Sequence, residues 1–345
     1  MKKVKFGPLA LIVIVSLSVI LGACTSSGLD DESTQENAKK ILVYGHSGNS
    51  TSLDPAHMKE GDSTHVTVNL YETLVNLDEQ GTTVVPGLAE KWDSSKDGLT
   101  YTFQLRKDVK FHDGTDFNAD AVMKNFERWT NGDAEEFPFY SSVFNGFKGD
   151  DSRIIESVAT DGDDTVTIKL NNPQASFLKN LTMSPFSIVS PNVFEQSDEE
   201  FESDPIGTGP FQYFEGKQNE AIVVVKFQEY WQESLPKLEK IIFKSIPDNT
   251  ARLNALIAGD IDLADSINPA DRMKVDDDAD LQFFERPFME NIYEDAPSIF
   301  AADSTPLFGA TKYMMNYLPQ VTGFDVLSKV EFELPAEEEE EEEEE

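Results

Sequence analysis

The chain has 345 residues, enough to bury a large core in one big domain or two smaller ones. Its 28 basic residues stand against 64 acidic ones, a net charge of −36, and the nine glutamates at 337–345 account for only nine of those charges. That balance argues against a nucleic-acid partner, which needs the opposite sign, and a single cysteine excludes an intramolecular disulfide or a cysteine-based metal cluster.

Residues 1–23 read as a secretory signal: Lys2, Lys3 and Lys5, an apolar run over 9–21 too short to span a bilayer comfortably, then Gly22-Ala23. Leu21-Gly22-Ala23-Cys24 also resembles a bacterial lipobox. The resemblance implies lipidation of Cys24 and export to the outer face of the cytoplasmic membrane, at the cell surface or in the periplasm. Residues 24–39 are polar and almost free of large apolar side chains, the composition of a flexible tether.

A buried strand is predicted over 41–44, followed by the loop Gly45-His46-Ser47-Gly48-Asn49-Ser50-Thr51-Ser52-Leu53-Asp54-Pro55. Gly45 to Asn49 is one residue short of the G-x-S-x-G elbow of serine hydrolases. Asn49 replaces the last glycine, however, and no histidine follows His112, where a triad needs a late one. A small-residue loop at a strand end equally lets amides and hydroxyls approach a ligand. Over 62–75, Val66, Leu70 and Leu74 form the apolar stripe of a helix capped by Ser63 or Thr64. His57 and His65 share no helix face and have no third ligand nearby, so no metal site is expected. Asp93, Ser95, Asp97 and Gly98 mimic an EF-hand loop, but Gln104 stands where the bidentate glutamate belongs, and the stretch is read as a turn.

Strand 100–105 places Tyr101, Phe103 and Leu105 on one face and is expected to pair with the apolar run 109–111. Residues 112–116 supply a turn with Gly114 at positive φ, and Asn118 caps a helix carrying Ala119, Val122, Phe126 and Trp129. Residues 131–150 read as a loop whose aromatics, Tyr140 among them, are either tucked beneath it or exposed to a ligand. A hairpin follows over 154–158 and 165–170, then a short helix over 175–181 and another opened by Ser190-Pro191-Asn192. The loop Gly207-Thr208-Gly209 lacks the lysine of a phosphate-binding loop and leads into strands at 211–214 and 221–227. Beyond these lie a strand over 241–246 and a helix capped by Asn249, with Leu253, Leu256 and Ile257 on one face and Gly259 ending it. Strands over 260–264 and 281–286 complete the set.

Several of these stretches resemble, as strings, the family 5 extracellular solute-binding proteins, the peptide-, dipeptide- and nickel-binding receptors of ABC importers. They are 86–129, Leu70-Tyr71-Glu72-Thr73-Leu74, Pro205-Ile206-Gly207-Thr208-Gly209-Pro210-Phe211, and Gly259-Asp260-Ile261-Asp262. The resemblance implies a mixed α/β (α+β) fold, the first lobe of a periplasmic-binding-protein-like class II protein, with a mixed sheet and flanking helices over 40–287. It implies ligand contacts from Ser47, Gly48, Asn49, Ser50 and Leu53, from Tyr140, and from Thr208. After Pro287 it breaks. Residues 288–336 resemble the family's C-terminal segment, which returns to the first lobe, as though the second lobe were excised between Phe288 and Asn291; 337–345 is a solvated tail. The implied function is non-enzymatic, cofactor-free capture of extracellular oligo- or dipeptides for import, impaired by loss of the second lobe. The implied partners of a monomeric chain are a peptide ligand, ABC permease subunits and the membrane through its lipid anchor. Alternatives are a nickel or metal-chelate receptor of the same family, a secreted serine hydrolase, and a deletion product with no transport role.

Overall fold

The computed structural model describes residues 39–48, 52–58, 63–217, 220–285, 307–319 and 325–333. Cys24 with its signal and tether, Asn49, Ser50, the 288–291 junction and the 337–345 tail lie outside the described residues.

The chain enters through β1 (Ile41–His46), which buries Leu42 and Tyr44. Helix α1 (Thr64–Leu70) is shorter than the predicted stripe: Leu70 and Leu74 are both buried, but the backbone turns extended at Tyr71, and Glu72 bridges to Ile188. Ser63 makes no capping bond; its hydroxyl instead accepts from the Ser52 amide at 3.1 Å. β2 (Val75–Leu77) and β3 (Val84–Pro86) pair antiparallel. β4 (Ala89–Ser94) and β5 (Thr100–Leu105) then begin a four-stranded antiparallel sheet. The predicted partner of β5, 109–111, forms only an isolated bridge between Lys110 and Asp116, although Val109 and Phe111 are buried. β5 instead lies between β4 and the later strand 165–170, and β4 escapes a periodicity argument because it is an edge strand with little buried surface, spelled Glu90-Lys91-Trp92-Asp93.

Helix α2 (Ala119–Asn131) is capped by Asn118, whose side chain accepts from the Ala121 amide at 3.0 Å. It lays Ala119, Val122, Phe126 and Trp129 into the core. The segment predicted as a loop contains α3 (Pro138–Phe144), with Pro138 in its first turn and Tyr140 and Phe144 buried. β6 (Ile155–Asp161) and β7 (Thr165–Leu170) complete the small sheet in the order β4-β5-β7-β6. Trp129 lies edge-on to Phe126 and Phe186, with ring centroids 4.9 and 5.7 Å apart. Truncating such a buried ring costs about 3–5 kcal/mol. Next come α4 (Phe177–Asn180) and α5 (Asp198–Ser203), the latter held by a Ser197–Glu200 capping box; Ser190-Pro191 opens only a 3₁₀ turn.

The larger sheet is built from β8 (Phe211–Lys217), β9 (Ala221–Lys226) and β10 (Lys240–Ser245). Helix α6 (Asn249–Ile257), β11 (Leu263–Ile267), α7 (Arg272–Asp276), β12 (Leu281–Glu285) and β13 (Leu307–Thr311) follow. Its seven strands run β12-β13-β11-β1-β10-β9-β8, with β1 parallel to both β10 and β11 and every other pairing antiparallel. The cap of α6 is Asp248, one residue before Asn249, and Ile257, expected on the apolar face, is exposed. β11 starts at Leu263, three residues later than the strand expected from 260. Short strands β14 (Met314–Met315) and β15 (Glu331–Phe332) pair with each other. The last described segment is tied to α1, where Asn69 accepts from the Leu327 amide at 2.8 Å and donates to the Asp325 carbonyl at 3.2 Å.

One apolar core reaches from the small sheet to one face of the large one. Leu253, Leu256, Ile261, Ile267 and Val275 cluster separately under α6 and α7 on the other face, so the central strands are covered on both sides.

Candidate ligand-binding site

In open α/β sheets, ligands settle outside the carboxyl ends of the parallel strands. Here those ends belong to β1, β10 and β11, and the loop leaving β1 crosses them. The Ser47 amide donates to Asp265 Oδ1 at 2.9 Å and its hydroxyl to Oδ2 at 3.4 Å, while Ser245 Oγ donates to the Gly48 carbonyl at 2.8 Å. Asp265 is balanced by Arg252, whose Nε lies 3.3 Å from Oδ1 and which also donates to the carbonyls of Asp265 and Ser266 at 3.0 and 3.2 Å. His65 Nε2 lies 3.5 Å from Asp265 Oδ2, and the Tyr44 hydroxyl 3.3 Å from His65 Nδ1. His46, at the end of β1, has its pKa lowered to about 4 by burial and by the nearby Arg252 charge, which keeps the ring neutral. The group is a buried polar support that fixes the loop at the sheet end. Among the described residues the Ser47 hydroxyl meets the Asp265 carboxylate and no imidazole, the partner by which a serine nucleophile is activated.

A second cluster explains the strings noted in the sequence. His112 Nδ1 accepts from the Gly207 amide at 3.2 Å and Nε2 donates to the Gly209 carbonyl at 3.0 Å, while the His112 amide donates to the Gly207 carbonyl at 2.9 Å. The amide donor at Nδ1 fixes the tautomer with its proton on Nε2, and burial lowers the ring's pKa to about 4. The Gly209 amide donates to the Leu70 carbonyl at 2.9 Å. A Cβ at Gly207 would fall 2.1 Å from the Leu70 oxygen, and one at Gly209 2.6 Å from the Leu70 carbonyl carbon, so only glycine lets the loop lie this close. Thr208 between them is fully buried and donates to Glu72 Oε2 at 2.9 Å. Glu72 also accepts from Tyr230 at 3.0 Å and from Trp231 Nε1 at 3.1 and 3.0 Å. Burial outweighs these hydrogen bonds and pushes the carboxyl up to about 7. Arg106 covers the Trp231 ring at 4.2 Å. Strings separated by scores of residues are therefore one packed unit, the frame on which the lobe is built.

Glu72 also lines a groove of about 600 Å³, together with Met58, Val68, Leu77, Phe139 and Met183. That volume lies within the usual range for small-molecule pockets.

Of the residues expected to touch ligand, only Ser47 and Gly48 stand together at the sheet end. Leu53 is a core residue, 2% exposed, and its neighbour Asp54 pairs with Arg128, which lies against the rings of Phe137, Phe194 and Phe201; the pair anchors the loop. Tyr140, 3% exposed, bonds Thr130 Oγ1 through its hydroxyl at 3.0 Å and packs among Trp129, Phe144 and Phe147. The adjacent Phe139 faces the groove instead. Thr208 reaches Glu72 and not open space. Asn49, Ser50 and Cys24 lie outside the described residues. Sequence reasoning missed Asp265 and Arg252, the first sitting one residue past the strand expected over 260–264, and gave Glu72 no role beyond its place in a string. Among the described residues, no group of three or more His, Cys, Asp or Glu is arranged to hold a metal ion, and no helix is long and apolar enough to cross a membrane.

Comparison with known proteins defines the class first. The chain superimposes on the ABC transporter-associated periplasmic binding protein DppA from Helicobacter pylori in complex with peptide STSA with a TM-score of 0.66 and 31% identity, covering 72% of this chain and 51% of that one. The fold is thus of the periplasmic-binding-protein type. The sequence model of the bacterial extracellular solute-binding proteins, family 5 Middle, matches residues 83–301, and the chain belongs to that family. It is 32% identical over 302 residues to heme-binding protein A of Haemophilus influenzae, covering 82% of this chain and 55% of the relative. To the dipeptide-binding protein of Escherichia coli K12 it is 33% identical over 261 residues, covering 72% and 49%. The chain spans about half the length of the curated relatives it matches.

Proposed function

We propose that this chain is the first lobe of a substrate-binding protein that captures oligo- or dipeptides outside the cytoplasm for an ABC permease. The observation that carries this reading is the Ser47–Gly48 loop, fixed by Asp265 and Arg252 across the carboxyl ends of three parallel strands. The family membership and the printed ligands of two relatives, a dipeptide and the peptide STSA, support the peptide class. In this reading the chain is exported, held at the membrane by a lipid on Cys24, and monomeric.

Receptors of this kind trap a ligand by closing two lobes over it. With a single wall, the loop supplies polar contacts but excludes little water, and the interaction is weak. Calorimetric titration of the full chain with a mixed set of di- to pentapeptides tests this: no binding in the micromolar range is expected, and micromolar or tighter binding would overturn the single-wall reading. A metal-chelate ligand is the second reading, supported by the name of the heme-binding relative. It predicts a rise in melting temperature on adding heme or a nickel chelate and none on adding peptides.

A further inference from the structure

The groove beside α1 is walled by Met58, Val68, Leu77, Phe139 and Met183, and the turn that ends α4 adds Lys179, Thr182 and Ser184 to the same lining. In that turn the Thr182 amide donates to the Lys179 carbonyl and the Met183 amide to the Asn180 carbonyl, both at 3.1 Å. The hydroxyls of Thr64, Thr73 and Thr182 are already used, donating to Met58 Sδ at 3.6 Å and to the carbonyls of Val75 and Lys179 at 2.7 Å each. Ser184 Oγ is buried and makes no hydrogen bond among the described residues. A buried hydroxyl left in that state is costly until something supplies a partner.

Lys179 is the single cation of the described lining. It is exposed and forms no ion pair among the described residues, in a chain that carries 64 acidic side chains. Glu72, the one carboxylate of that lining, accepts with its two oxygens from Thr208, Tyr230 and Trp231, none of which lines the groove. Its charge belongs to that buried cluster. The groove therefore offers a ligand a long apolar wall, one positive charge and one unused hydroxyl.

These features discriminate between ligand classes. A neutral apolar molecule covers the wall and leaves Lys179 and Ser184 unanswered. A small anion reaches Lys179, covers no apolar surface, and works against the field of a chain of net charge −36. A single acyl chain ending in a carboxylate answers all three. Each methylene taken out of water raises affinity up to about fourfold, whereas an exposed lysine–carboxylate contact raises it only about two- to fivefold. The chain thus supplies the affinity and Lys179 the orientation, while the general field is screened beyond about 8 Å at physiological salt. The same net charge works against an anionic bilayer as the source of the acyl chain, which points to a free monomer.

We propose that this groove binds a free medium-chain fatty acid, its alkyl chain along Met58, Val68, Leu77 and Phe139 and its carboxylate at Lys179, with Ser184 as a hydrogen-bond donor. The site stands apart from the Ser47–Gly48 loop, and its failure would leave the solute-binding reading untouched.

The test is a solution NMR titration of the full chain carrying labelled methionine methyl groups. Met58 and Met183 report on the groove, and Met273, exposed outside it, reports on unspecific adsorption. The probes are hexanoate, octanoate, decanoate and decanol, each kept below the concentration at which it forms micelles or separates. The carboxylates are expected to shift the Met58 and Met183 methyls and leave Met273 unmoved, with affinity rising up to about fourfold per added methylene. Decanol is expected to bind about two- to fivefold more weakly than decanoate. Lys179→Ala, at an exposed position, is expected to weaken decanoate by that factor and leave decanol unchanged. Unmoved groove methyls, or shifts of equal size at Met273, would overturn the site. Equal affinity for decanoate and decanol, or unaltered decanoate binding in Lys179→Ala, would overturn the carboxylate assignment.

Discussion

Replacing Glu72 with glutamine isolates the energetic consequence of burying a carboxyl behind the groove. In the folded chain its pKa rises from 4.5 to about 7 because burial penalises the charged form more than Thr208, Tyr230 and Trp231 compensate it. Between those two values the native state holds a proton that the unfolded state has released, so stability falls as pH rises through this window. At about 1.4 kcal/mol per pH unit, the full loss is about 3 kcal/mol. His46 and His112 act in the opposite direction. Each is lowered from 6.5 to about 4 by burial, joined at His46 by the Arg252 charge, so each binds fewer protons when folded, and its contribution rises between pH 4 and 6.5 by a similar amount. Two histidines outweigh one glutamate, and these three groups together make the wild-type chain gain stability with pH. Glutamine keeps an acceptor for Tyr230 and Trp231 and can donate to Thr208, but it carries no titrating proton. The histidine contributions cancel when the two proteins are compared. Urea unfolding at pH 5, 6, 7 and 8 should therefore show Glu72→Gln gaining about 3 kcal/mol relative to wild type across the window. Parallel stability curves would refute the assignment of a raised pKa to this carboxyl.

The backbone frame and the buried ion pair give two further tests. Gly207→Ala drives a methyl group into the Leu70 carbonyl and should cost at least about 2 kcal/mol, whereas Gly114→Ala, where φ is +80° and space is open, should cost only the left-handed backbone penalty of about 1–2 kcal/mol; equal losses in urea unfolding would contradict the close-approach argument. Asp265→Ala leaves Arg252 buried without its partner and should cost about 3–5 kcal/mol, against less than about 1 kcal/mol for Ser47→Ala, whose hydroxyl makes one long bond to the same carboxylate. Thermal melts of the two variants check the contrast, and a similar drop in both would show that the pair is not the support of the loop.

Much of the fold was legible because its elements follow one strong period. β5 alternates and α2 carries a cap and a stripe, so both appear where the sequence puts them. The elements that escaped are those whose order comes from elsewhere. β4 is polar because one side of it faces solvent at the sheet edge. The aromatics of 137–147 gave no periodic signal, although Pro138 was a usable helix-start mark. The site was less legible than the frame. Ser47 and Gly48 could be placed from the strand-to-loop transition, but the residues that hold them, Asp265 and Arg252, are over 200 positions away and reach the loop only through parallel pairing of β1 with β11. Tyr140 shows the limit in the other direction: an aromatic on an apparent loop reads as a ligand contact until the helix that buries it is known.

The most direct test of the central claim, that the loop at the sheet end is one wall of a peptide-binding cleft, is the chemical shift of the Ser47 and Gly48 amides as a di- to pentapeptide mixture is raised to millimolar concentration. The account predicts progressive, fast-exchanging shifts at both amides, abolished when Asp265→Asn weakens the support while the chain stays folded. Unmoved amides at millimolar peptide, in a chain that remains folded, would contradict it.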